Sequence, residues 1–214
     1  MRKLIVCSVI SLDGYLEGPG GNVLALPMDQ FFDEHNLERL MAADALLVGA
    51  KTYTLFKGFW PPAADDPRAA MGEYWTPERA DVTQAIGRRM NEIDKVVVSD
   101  SLDVDDTAPW TDTTTIVRRR DAHEAVAKLK EQPGEQIFMS GSRTLFNDLL
   151  AAGLVDELRF IVGAVVLGGG TPAFDTGLSH TLRLVTTRRH DGSDNVLLCY
   201  EVDPEDASRS TTPA

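Results

Sequence analysis

Residues 137–174 read IFMSGSRTLFNDLLAAGLVDELRFIVGAVVLGGGTPAF, and the succession of patterns in this stretch decides the architecture. The run QIFMS, ending at Ser140, is short, apolar and bounded by Gly141, which reads as a buried strand. SRTLFNDLLAAG then carries a helical pattern and stops at Gly153, a residue that accepts the left-handed turn at a helix C-terminus. ELRFIVGAVVL returns to a strand pattern. A strand, a helix and a strand in so short a span form a β-α-β unit, whose two strands are parallel.

The same alternation recurs upstream. KLIVCSVI is a buried-strand run; Phe31 to Ala43 places Phe32, Leu37, Leu40 and Met41 near helical spacing, and the strand ALLVG follows. PERADVTQAIGRRMN spaces Val82, Ile86 and Met90 four apart on one helical face, ahead of the strands KVVVS and TTIV. Asp121 and Glu124 have the spacing of a capping box for the helix AHEAVAKLK. Beyond Asp156 the pattern is strands only, ending in TLRLVTTRR and NVLLCYEV joined by the turn-forming DGSDN. The expected fold class is α/β: a mixed, mostly parallel sheet flanked by helices, with a C-terminal antiparallel hairpin.

The domain is expected to cover residues 1–202, with residues 203–214 (DPEDASRSTTPA) a loose tail that lacks apolar periodicity. FWPPAADDPRAAMGEYWTP, from Phe59 to Pro77, holds two of the three tryptophans and is expected to be an ordered excursion or lid rather than a tether.

The 214-residue chain is 43% apolar and 25% charged, with a mean hydropathy of −0.15. Those values suit a globular protein with a full core and exclude a collagen-like rod or a disordered chain. A net charge of −12 repels phosphate backbones, so nucleic acid is not an expected partner. No apolar run approaches the roughly 20 residues that span a bilayer. MRKLIVCSVISLDG is interrupted by Asp13 and reads as a first strand rather than a signal peptide. Cys7 and Cys199 both lie in apolar runs, as buried thiols in a reducing cytoplasm do.

Ligands of open α/β sheets bind beyond the carboxyl ends of the strands, where helix starts present free N–H groups. Three such junctions occur: Gly49 with Lys51 and Thr52; Gly141 with Ser142, Arg143 and Thr144; and Ser99 with Asp100 and Ser101. The first two combine a glycine, a hydroxyl and a cation, which suits a phosphate but equally describes tight turns before ordinary helices. Neither GxGxxG nor GxxxxGK[ST] occurs. The glycine-dense Gly168, Gly169 and Gly170 are either a close approach to a ligand or a flexible turn. Asp13, in SLDGYLEG, faces a pocket or makes an Asp-Gly turn. Arg118 to Arg120 read as a solvated turn that could hold a local anion. His35, His123, His180 and His190 are scattered, so no metal site is expected.

The succession SVISLDGYLEG, ALLVGAKTY, KVVVSDSL and the 137–174 block resembles the dihydrofolate reductase-like superfamily. More closely it resembles the riboflavin-biosynthesis reductase C-terminal (RibD C-terminal) domain. The resemblance implies a dihydrofolate reductase-like sheet and an NADPH-type cofactor laid across the strand ends, with NADH as the other possibility. It implies that Gly49, Lys51 and Thr52 line one phosphate-binding helix start and that Gly141, Ser142, Arg143 and Thr144 hold the pyrophosphate. Ser99 and Asp100 would lie near the adenosine ribose. Asp13 would be the catalytic residue where nicotinamide and substrate meet, orienting a polar group or relaying a proton, with Leu167, Gly168 and Gly169 beside it. Asp29 resembles the buried acid of true dihydrofolate reductases.

Two positions depart from the family pattern. Ala50 and Asp100 stand where many relatives have arginine, and an aspartate there would repel a 2′-phosphate. The implied activity is reduction of a pterin, riboflavin-pathway pyrimidine or other small carbonyl compound by a cytoplasmic homodimer. The alternatives are a nucleotide- or flavin-binding module without turnover and a dimeric scaffold.

Overall fold

A computed structural model of the chain describes residues 1–72 and 76–203; residues 73–75 of the expected lid, Trp75 among them, and the tail after 203 lie outside the described residues. In chain order the elements are β1 (Lys3–Ser11), β2 (Tyr15–Glu17), α1 (Gln30–Ala42), β3 (Ala45–Gly49), α2 (Ala50–Ala63), α3 (Pro67–Met71), α4 (Ala80–Glu92), β4 (Asp94–Val98), β5 (Thr114–Val117), α5 (Ala122–Glu131), β6 (Gln136–Ser140), α6 (Arg143–Ala151), β7 (Glu157–Gly163), β8 (Thr171–Pro172), β9 (Leu182–Arg189) and β10 (Val196–Val202).

The apolar runs assemble into one eight-stranded sheet, ordered β5-β4-β3-β6-β1-β7-β10-β9. The first six in that order are mutually parallel, and β10 and β9 complete the sheet antiparallel. β2 and β8 pair separately as a short ribbon. β1 is central, and its register aligns Val6 with Met139 on one side and with Leu158 on the other. Helices α5 and α6 cover one face through Ala122, Val126, Phe146 and Leu149. On the other face Leu40 of α1, Tyr53 of α2, and Ile86 and Met90 of α4 pack over Ile5, Leu46, Val48 and Val97. Apolar burial on both faces explains why the parallel strands read as continuous hydrophobic runs.

Packing overrides several local expectations. The helix α2 runs through Phe59, Trp60, Pro61 and Pro62 to Ala63, so the first part of the expected Phe59–Pro77 excursion is helical. Both prolines sit in its last turn, and Trp60 packs against the core, meeting Phe56 edge-on with ring centroids 6.4 Å apart. Here α2 and α4 touch backbone to backbone, since a Cβ on Gly87 would lie 2.6 Å from the Ala64 nitrogen.

The expected capping box at Asp121 does not form. A short helical turn over Arg119–Asp121 leads into α5, and Glu124 pairs with Lys128 instead. The strand β7 stops at Gly163 rather than continuing through AVVL; a Cβ on Gly163 would lie 2.6 Å from Pro27 Cγ, where the incoming segment crosses.

Asp29 is the N-cap of α1, accepting the Phe32 N–H at 3.1 Å, and is half-buried. Asp33, one turn further along α1, is 6% exposed, with Arg79 2.6 Å away; burial nevertheless raises its pKa to about 6. Cys7 and Cys199 are buried free thiols, and burial pushes Cys7 up to about 12. Both align with Arg159 on the strand between them. Two strand spacings, roughly 9.6 Å, therefore separate them, beyond disulfide reach. Among the described residues no helix is long and apolar enough to cross a membrane.

Candidate functional site

Because β5, β4, β3, β6, β1 and β7 are parallel, their carboxyl ends share one rim of the sheet. Along that rim lie, in order, Arg118–Arg120, Ser99–Asp100, Gly49–Thr52, Gly141–Thr144 and Ser11–Asp13. From β5 to β1 is four strand spacings, roughly 19 Å.

At the middle of the rim the two glycine junctions touch. The Gly49 N–H donates to Ser142 Oγ at 2.8 Å, and the Ser142 N–H donates to Thr52 Oγ1 at 3.1 Å. Gly141 and Ser142 both adopt left-handed backbone, φ 62° and 58°, and Ser142 is the one non-glycine among the described residues with positive φ. Two successive left-handed residues turn the chain sharply enough to bring the start of α6 against that of α2. Neither helix start carries a side-chain cap: the N-cap of α2 is Gly49, which has no side chain, and the N-cap of α6, Ser142, gives its hydroxyl to the Gly49 N–H. First-turn N–H groups of two neighbouring helices therefore converge without side-chain acceptors, the setting that favours an anion. The residues fit a diphosphate on these grounds.

The cations beside them are engaged. Lys51, with a side chain 86% exposed, lies 3.2 Å from Glu17 Oε1. Arg143 donates to the Pro172 carbonyl and pairs with Asp175 Oδ1 at 2.6 Å. Thr144 is exposed on the first turn of α6.

Toward β5, Ser99 is buried, and its Oγ accepts the N–H groups of Ser101 at 3.1 Å and Leu102 at 2.9 Å. The Asp100 carboxylate points to the turn that follows β5, accepting the Arg119 N–H at 2.9 Å. The exposed Arg119 guanidinium lies 3.9 Å from the same carboxylate, and Arg120 lies 3.4 Å from Asp121. Arg118 is not simply solvated; it braces the turn by donating to the Ser99 and Leu102 carbonyls at 3.2 and 3.0 Å.

Toward β7, Asp13 clamps the glycine-rich loop. Its two oxygens accept the N–H groups of Leu167 at 3.1 Å and Gly168 at 2.7 Å. Hydrogen bonding from Ser11, then from these backbone donors, holds its pKa down to about 2. Asp13 is therefore an anion at neutral pH. As an anion it can accept a hydrogen bond from a substrate N–H or O–H. Gly168 and Gly169 leave open space where side chains would stand, whereas Gly170 is forced by packing: a Cβ there would lie 2.0 Å from the Glu17 carbonyl oxygen.

Glu17 and Asp175 went unread in the sequence. Glu17 accepts from Thr171 Oγ1 at 2.9 Å while facing Lys51, a contact that depends on the pairing of β2 with β8. Two concavities lie outside these junctions: one, of about 250 Å³, is at the opposite edge of the sheet and lined by Lys3, Asp156, His180 and Glu201; the other, of about 430 Å³, is lined by the 189–194 turn, beyond β7 on the same edge as the rim. Among the described residues no group of three or more His, Cys, Asp or Glu side chains could hold a metal ion.

Known proteins agree with this architecture. Protein YyaP of Bacillus subtilis (strain 168) is 30% identical over 190 residues, covering 87% of this chain and 88% of its own. The Thermotoga maritima diaminohydroxyphosphoribosylaminopyrimidine deaminase/5-amino-6-(5-phosphoribosylamino)uracil reductase superposes with a TM-score of 0.62 at 14% identity, over 94% of this chain and 57% of that one. A pyrimidine reductase-like protein of Corynebacterium diphtheriae gives 0.56 at 14% identity, over 94% and 92%. Dihydrofolate reductase of Enterococcus faecalis, complexed with NADP(H), gives 0.52 at 14%, over 94% and 96%. At such identities the structures share the fold, which is dihydrofolate reductase-like. The family assignment comes from the sequence profile of the RibD C-terminal domain, which matches residues 2–197. With strand order, rim and profile in agreement, the chain belongs to the RibD C-terminal domain family.

Proposed function

We propose that this protein is a nicotinamide-dinucleotide-dependent reductase of a small heterocyclic or carbonyl substrate, of the pterin or riboflavin-pathway pyrimidine type. The observation that carries the reading is the reciprocal pair Gly49 N–H to Ser142 Oγ and Ser142 N–H to Thr52 Oγ1, which joins two uncapped helix starts at neighbouring strand ends. Gly49, Lys51, Thr52, Gly141, Ser142, Arg143 and Thr144 hold the diphosphate. Ser99, Asp100 and the Arg119–Arg120 pair border the adenosine end, where the two arginines favour NADPH and Asp100 favours NADH. Gly168 and Gly169 let backbone approach the nicotinamide end, and ionised Asp13 orients a polar hydrogen of the substrate. When bound, the reduced nicotinamide supplies the hydride.

The second reading is a dimeric nucleotide- or flavin-binding module without turnover, favoured by the lack of a cation at Ala50 and Asp100. In either reading a second copy pairs along the edge strand β9, where Leu184 and Val185 are 52% and 51% exposed. Fluorescence titration with NADPH, NADH and FMN, followed by hydride transfer to 5-amino-6-(5-phosphoribosylamino)uracil, whose ribosyl carbon accepts the hydride, or to a dihydropterin, tests both. Saturable binding of a reduced nicotinamide dinucleotide with turnover is expected. Binding of FMN alone would overturn the reductase reading in favour of the second.

A further inference from the structure

Both cations that open the diphosphate helices are matched by carboxylates carried on one strap. Lys51 Nζ lies 3.2 Å from Glu17 Oε1, and Arg143 Nη2 lies 2.6 Å from Asp175 Oδ1. Glu17 ends β2, Asp175 follows β8, and the two strands pair with each other. The strap is held firmly. Gly170 passes against the Glu17 backbone, Thr171 Oγ1 donates to Glu17 Oε2 at 2.9 Å, and the Asp175 N–H donates to Asn147 Oδ1 at 2.9 Å. Asn147 is itself 2% exposed and also donates to the Ala173 carbonyl at 2.9 Å. Glu17 is 21% exposed in its side chain against 86% for Lys51, so the carboxylate is the fixed partner and the lysine the mobile one.

We propose that Glu17 and Asp175 set the affinity of this site for a diphosphate by competing with it for Lys51 and Arg143. The inference rests on the dinucleotide reading above and goes beyond it, assigning the two acids a negative role in binding. Two carboxylates stand in for the two negative charges of the diphosphate. The ligand must displace both, and it prevails because it also accepts from the first-turn N–H groups of α2 and α6. A ligand with one phosphate displaces one carboxylate and leaves the other pair closed, so the acids tune dinucleotides more strongly than mononucleotides. Exposed ion pairs contribute little each, so the two together weaken binding by roughly three- to tenfold.

The test is titration of the wild type, Glu17→Gln, Asp175→Asn and the double variant with NADPH and with NADH, read by nicotinamide fluorescence, with AMP as the one-phosphate comparison. The dissociation constant of the better dinucleotide is expected to fall about two- to threefold in each single variant and roughly three- to tenfold in the double. The gain for AMP is expected to be smaller. The gain from Glu17→Gln should disappear in a Lys51→Met background. Should the double variant fail to fold, the two isosteric single variants carry the test. If the wild type binds a dinucleotide and the variants bind it equally or less tightly, competition is refuted and the dinucleotide reading stands. If no protein in the series binds either dinucleotide, the dinucleotide reading falls and takes this inference with it.

Discussion

Ser142 performs two tasks whose energies can be separated. Its Oγ accepts the Gly49 N–H at 2.8 Å, while its backbone sits at φ 58°, a region that only glycine enters freely. Replacing it by alanine removes the acceptor and keeps the strain. An unsatisfied donor costs about 1–3 kcal/mol when buried; because this junction is only half-buried, the low end applies and a loss of about 1–1.5 kcal/mol is expected. Replacing it by glycine removes the same acceptor but relieves the left-handed penalty of about 1–2 kcal/mol, which brings stability back near the wild type. Urea denaturation of the three proteins at 25 °C measures this, provided the m-values agree. Dinucleotide titration of the same proteins is expected to weaken for both variants, because the two helix starts are no longer tied together. Stability and affinity therefore part company in Ser142→Gly. An alanine variant as stable as the wild type, or a glycine variant that binds as tightly, would refute the claim that this serine joins the two junctions.

Three further outcomes follow from the contacts described. Gly170→Ala brings a Cβ to 2.0 Å from the Glu17 carbonyl at φ 127°; strain and overpacking together are expected to cost roughly 2–5 kcal/mol, and an unchanged melting temperature would show that the strap gives way there. Asp13 titrates near 2 in the fold against 3.8 unfolded, so its stabilisation is present above 3.8 and is lost as pH falls toward 2. Asp13→Asn should flatten that limb of the acid-denaturation profile; identical profiles would place the Leu167 and Gly168 donors elsewhere. Lys95 is buried above the Trp110 ring, 4.6 Å from its centroid, and burial lowers its pKa from 10.5 to about 8. The unfolded chain holds the extra proton between those values, so this lysine's contribution rises with pH across the window. The stability difference between wild type and Lys95→Met should move by about 3 kcal/mol in favour of the wild type from pH 7.5 to 10.5. Measuring that difference cancels the opposing effect of Cys7, and a constant difference would mean that Lys95 titrates normally.

The chemistry of the site was legible unevenly. Asp13, Gly49 and Gly141 were readable because a strand end followed by glycine marks a rim position whatever the rest of the chain does. Glu17 stood in the same quoted segment, SLDGYLEG, yet nothing local distinguishes it from a solvated acid. Asp100 was read as a charge that would repel a phosphate, whereas it accepts a backbone N–H from Arg119, in the turn after the adjacent strand. The fully buried carboxylate of α1 is Asp33, not Asp29, because helix register turns Asp33 inward, to Arg79.

By itself the sequence determined the succession of strands and helices, the parallel sense of the central β-α-β units and the closing hairpin, because periodicity, turn residues and crossover handedness act over a few dozen residues. Only the tertiary structure decided which carboxylate meets which cation, where β7 stops and how far α2 continues past its prolines. Those outcomes depend on β3 lying beside β6, and on backbones from distant segments coming close enough at Gly87, Gly163 and Gly170 to exclude a single carbon atom.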